Sequence, residues 1–179
     1  MTEIIVAFIA AILAYLGLVL TKEQKVSEFR QKWIDEVRND LADLLSRSIA
    51  IQLNFASFCR GKLQANLYAE FIKTHSEDAH TLLMLAERIK FRLNPNDDEG
   101  LIELLDELTA IITSPSKLKS GDELEVITSK LSDAGHRVFK TEWERVKNGE
   151  PWFYWSKWAV IVFFGLVLVF VVFRLVSAF

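Results

Sequence analysis

The sequence predicts an all-α membrane protein in which two transmembrane helices frame a cytoplasmic antiparallel helical bundle. Three observations lead there. Hydrophobic residues make up 51% of the 179 although 25% are charged, and the excess is concentrated at the ends, because residues 4–20 and 158–173 contain no charge. Between the ends the apolar residues recur at three- and four-residue spacing, and nothing alternates as a half-buried strand would. Three prolines and seven glycines are few for the length, which suits long helices with few turns. The same figures exclude a disordered, collagen-like or disulfide-bonded chain.

The first predicted span is residues 4–20. As a helix these seventeen residues reach about 25 Å, enough for a thin hydrocarbon core. Met1, Thr2 and Glu3 supply no basic segment before it and no small-residue cleavage site follows cleanly, so an anchor is expected rather than a signal peptide. The second segment, 152–176, opens on Trp152, Phe153, Tyr154, Trp155 and Trp158. Amphipathic rings of this kind settle at a membrane interface, where Lys157 and Arg174 can also extend their charged ends. Lys22, Lys25, Arg30 and Lys32 follow the first span, and Arg145, Lys147 and Lys157 precede or open the second. The positive-inside rule then places the middle in the cytoplasm and both termini outside, in a multi-pass protein.

The middle, 21–150, reads as a helical bundle. Val26, Phe29, Trp33, Val37, Leu41, Leu44, Ile51, Phe55 and Phe58 form a stripe, with Ser48 in its one gap. They predict a long amphipathic helix, continuous with the first span and ended near Gly61, with a seam suited to a bundle. A second helical stretch is expected over 63–93, kinked near His75 with Ser76 capping a restart, and stopped by Pro95. A third follows the acidic loop 94–100 and runs to about Ile112. A polar loop, 113–120, precedes a fourth helix from Gly121-Asp122 to Asn148.

The residues offer little chemistry. The single cysteine, Cys59, forms no disulfide within the chain and reads as a small buried hydrophobe in a reducing compartment. His75 and His80 are five apart, so they leave different helix faces and do not form the i, i+4 pair that clamps zinc. Starting a calcium loop at Asn94 puts Glu99 where glycine is required and Leu105 where the bidentate glutamate belongs. There is no glycine-rich phosphate loop and no nucleophile elbow. No catalytic residue, metal or cofactor is expected, and a non-enzyme is the better reading.

What remains are surfaces for packing and docking. Ala7, Ala10, Ala14 and Gly17 are spaced three, four and three apart, so they share a face on which another helix can approach closely, within the chain or in a homo-oligomer. Gly165 is the small notch in a second span rich in phenylalanine. Phe29 and Trp33 on the long helix, with Arg88, Lys90 and Arg92 around Phe91, are the candidate residues for binding a partner. A mildly acidic chain of net charge −3 lacks the field that non-specific nucleic-acid binding needs, and Lys22 and Lys25 are better matched to anionic lipid headgroups.

The stretch Phe29-Arg-Gln-Lys-Trp-Ile-Asp-Glu-Val-Arg38 looks like one found after an N-terminal span in bacterial membrane proteins. The plan of two spans framing a small helical domain resembles the two-transmembrane effectors of bacterial antiphage systems, including those of retrons. The resemblance covers the whole chain as architecture and rests on those ten residues as sequence. It implies a toxic antiviral-defence effector of the bacterial inner membrane, held inactive by a cytosolic protein or ribonucleoprotein, that disrupts the lipid bilayer when released or oligomerised. The alternative is a non-catalytic membrane anchor or adaptor that recruits a cytosolic protein.

Overall fold

The computed structural model describes residues 2–59, 65–148 and 151–176. Those residues form seven helices and no strand: α1 (Thr2–Phe58), α2 (Ala65–Thr74), α3 (Ser76–Arg92), α4 (Glu99–Ile112), α5 (Pro115–Ser120), α6 (Asp122–Asn148) and α7 (Pro151–Val176). They divide into two compact units. One is Trp33–Glu142; the other combines Met1–Lys32 with Trp143–Phe179.

The unit over 33–142 is a helical bundle, as expected. Its core on α1 is Ile34, Val37, Leu41, Leu44, Ile51 and Phe55. From Val37 the alternating four- and three-residue steps keep one stripe inward along more than five turns. Ser48 occupies the stripe at a fully buried position, and its hydroxyl donates to the Leu44 carbonyl at 2.7 Å. That bond removes the cost of an unpaired buried hydroxyl. Cys59, in the turn after α1, is a buried free thiol.

Across the bundle, α1 runs antiparallel to α3 and to α6. The Trp33 indole nitrogen donates to the Arg92 carbonyl at 3.0 Å, and seven residues along α1 Asp40 meets Arg88 and Arg92. On the other side, the Arg38 guanidinium lies over the Phe139 ring, and a Cβ added to Gly135 would meet Leu41 at 2.5 Å. Further along, a Cβ on Gly121 would meet Gln52. Gly135 costs the interior of α6 roughly 1 kcal/mol of helix propensity, and the close packing of Leu41 is what its missing side chain permits. Near the end of α1, Phe55 packs against Tyr68 and Phe71 with ring centroids 5.6 and 5.0 Å apart. Burial pushes the Tyr68 hydroxyl pKa up, and that hydroxyl donates to the Ile112 carbonyl at 3.2 Å.

Several boundaries differ from expectation. The stretch 63–93 is two helices divided at His75, and Ser76 is not its cap: His75 holds that position, without a side-chain cap bond. The imidazole Nδ1 instead lies 3.1 Å from the Phe71 carbonyl and its ring stacks on Phe71. The polar loop 113–120 contains α5, which starts on Pro115 and ends on Gly121 at φ 77°. Proline lacks the amide that a first helical turn leaves unpaired, and glycine tolerates the left-handed closing residue. Fully buried Leu118 holds this turn in place. The long helix does continue from the apolar N-terminal run, and it ends at Phe58; Gly61, expected to stop it, lies outside the described residues.

The two expected transmembrane spans, 4–20 and the run within 152–176, are overturned. Among the described residues no helix is long and apolar enough to cross a membrane. The uncharged runs are seventeen and sixteen residues, which at 1.5 Å per residue give about 25 and 24 Å against a hydrocarbon core of about 30 Å. The second run is bounded by Lys157 and Arg174. A multi-pass inner-membrane protein with a cytoplasmic middle and both termini outside is therefore not supported.

Candidate functional site

The bundle unit uses its polar side chains internally. Asp40, only 13% exposed, accepts from Arg88 and, at 2.7 Å, from Arg92; Arg92 also reaches Glu36 at 3.2 Å. Lys90 bridges Glu87 at 2.5 Å and Asp106 at 2.8 Å. The hydrogen bonds to Asp106 and then Glu87 hold its ammonium above the ordinary lysine pKa. Arg88, Lys90 and Arg92, singled out as partner-binding candidates, thus tie α3 to α1 and to α4. Trp33 is half-buried on the Arg92 carbonyl. Among the described residues no group of three or more His, Cys, Asp or Glu is placed to hold a metal ion.

Some large apolar side chains of the bundle are nonetheless exposed. Phe91, on α3, is 88% exposed, and Met84, seven residues earlier on the same face, is also exposed. Phe29, in the other unit, is 71% exposed.

The second unit has the opposite surface. Val6, Leu13 and Leu18 on α1, and Leu166, Phe170 and Phe173 on α7, are all exposed. An apolar groove of about 710 Å³ lies within this unit, lined by Ala11, Ile12 and Tyr15 of α1 and by Trp155, Ala159, Val160, Phe163 and Phe164 of α7. The volume falls in the range of sites that hold small apolar ligands. Its residues sit at helical spacing: Trp155, Ala159 and Phe163 are four apart along one face, and Val160 and Phe164 lie beside them. Ala11 and Ala159 leave the room. Phe163 and Phe164 belong to the bulky phenylalanine surface that the sequence marks on the second run and Trp155 to its aromatic belt, but Ala11, Ile12, Tyr15, Ala159 and Val160 are not marked, because in two helices apolar on nearly every side no stripe identifies the inner face.

The small face lies elsewhere. Ala7, Ala10, Ala14 and Gly17 are all exposed, and a Cβ on Gly17 or Gly165 would meet nothing within 4 Å. The groove side of α1 is instead Ala11, Ile12 and Tyr15. Trp155 and Trp158 are exposed, while the side chains of Trp152, Tyr154, Lys157 and Arg174 lie outside the described ones.

Comparison with known proteins adds no relative. No family model, no curated protein and no solved structure matches the chain.

Proposed function

We propose that the chain is a non-catalytic protein that acts on membranes, an effector whose apolar unit enters lipid and perturbs it while the bundle receives a regulatory protein or ribonucleoprotein. The observation that carries this reading is the exposure of large apolar side chains on both helices of the apolar unit, Leu13, Leu18, Trp155, Leu166, Phe170 and Phe173 among them. Contiguous apolar surface beyond a few hundred Å² is rare on a protein that meets only water and marks contact with lipid or another protein. Apolar helices too short to span can still lie in the interfacial layer of a bilayer and disturb its packing, which suits disruption better than selective conduction. The runs 4–20 and 158–173 carry no polar stripe to line a stable channel.

Dye release from lipid vesicles tests the proposal. The full chain is expected to release dye, and a chain lacking 158–179 is expected to release none while its bundle unfolds at the same temperature. Equal release by both overturns it.

Phe91 favours a second reading, that of an adaptor. An aromatic ring left 88% exposed beside exposed Met84 is the kind of anchor that protein partners cover. An adaptor leaves vesicles intact and forms a stable complex that Phe91→Ala weakens.

A further inference from the structure

The two units differ in charge as well as in apolar surface. The bundle unit, 33–142, contains thirteen Lys and Arg against nineteen Asp and Glu, a net charge of −6. The apolar unit contains eight against five, a net charge of +3. Its basic residues are not spread along the apolar runs. Lys22, Lys25, Arg30 and Lys32 follow the run on α1; Arg145, Lys147 and Lys157 come just before the run on α7. Four acids share these segments, so in sequence the whole +3 of the unit falls in the stretches that adjoin its apolar runs. Lys22 and Lys25 are exposed. Lys25 pairs with Glu28 at 2.7 Å, but both side chains are solvated, and such a pair leaves the local net charge to act on a larger charged surface. Lys147 lies over the Trp143 ring, an indole that is itself exposed beside the second basic segment.

We infer that the apolar unit selects anionic lipid surfaces, with the segregated charge drawing that unit to the surface and repelling the bundle from it. The inference rests on the lipid-acting reading and adds the headgroup class. Basic residues next to an apolar insertion gain affinity from an anionic leaflet and lose it as salt screens the field. Repulsion of the acidic bundle by the same surface adds orientation, because the two units respond to it with opposite sign.

Vesicle flotation of the full chain tests this with two compositions, phosphatidylcholine alone and phosphatidylcholine containing phosphatidylglycerol. At low salt the anionic vesicles should bind roughly a hundredfold more tightly, about fivefold for each net basic charge, with the difference vanishing at high salt. The double substitution Lys22→Gln/Lys25→Gln should remove roughly twenty-five-fold of that preference and leave binding to phosphatidylcholine unchanged. Equal binding to both compositions at low salt overturns the headgroup selection alone. Absence of binding to either composition overturns it together with the lipid-acting reading.

Discussion

Phenylalanine is used in opposite ways in the two units. In the bundle, Phe55 and Phe71 are fully buried against each other. In the apolar unit, Phe163, Phe170 and Phe173 are exposed. The side chain is the same, so the difference lies in the partners available. The stripe on α1 from Val37 to Phe55 has polar residues on its outer side and three other helices to receive its inner side. The runs 4–20 and 158–173 are apolar on nearly every side, and two helices cannot cover each other completely. Burial is thus set by how many faces a helix must hide, and the apolar unit hides only part of its own.

The largest effect that would break this contrast is a phenylalanine truncation in each unit. Phe55→Ala should cost the bundle roughly 3–5 kcal/mol, the range for a large buried ring that leaves a cavity, measured by denaturant unfolding. Phe170→Ala should leave that unfolding transition in place and lower vesicle binding. A similar loss of stability from both would show that the two regions fold as one.

The ion pairs give a smaller effect. Asp40→Ala should destabilise the bundle by about 1–2 kcal/mol, less than a fully buried pair because Arg88 and Arg92 remain partly solvated. Removing Arg88 and Asp40 together should cost less than the sum of the single changes.

Gly135 sharpens the comparison at the level of one atom. Gly135→Ala gains helix propensity but drives a methyl group into Leu41, for a net loss of about 1 kcal/mol. In a Leu41→Ala background the same change should stabilise by about the same amount. If it destabilises there too, Leu41 is not what requires the glycine.

The smallest effect is on pH dependence. The Lys90 pKa is raised above its ordinary 10.5 by Asp106 and Glu87. A raised folded-state pKa contributes stability that is fully present below 10.5 and is lost as pH rises through the higher folded value. The stability difference between the wild type and Lys90→Met should therefore be constant at neutral pH and shrink in strong alkali. A difference that grows there would contradict the assigned partners.

The legible part of the fold is the part with an amphipathic period. The stripe from Val37 to Phe55, the leucines of α4 and the apolar positions of α6 mark three helices, with Gly121 just before α6 and Pro95 in the loop between α3 and α4. The short α5 was hidden because its only core contribution is Leu118, and one apolar residue makes no pattern. The kink expected near His75 is a full break between α2 and α3, although it carries neither proline nor glycine. Gly135 looks unfavourable in a helix until Leu41 is seen against it. The apolar ends illustrate the opposite failure: lack of charge was plain, but two more residues of reach on each side are what a span requires. The groove in the apolar unit could have been found only from the pairing of alanines on two helices, Ala11 and Ala159, which periodicity does not reveal.

Cys59 gives the protein a built-in reporter. As the chain's one thiol, buried in the bundle unit just past the end of α1, it is shielded from alkylating reagents while the core is closed. Its labelling rate therefore counts openings of that core and is blind to the apolar unit. A second cysteine introduced on an exposed position of the apolar unit would react at once, so two rates from one sample separate motion in that unit from breathing of the bundle.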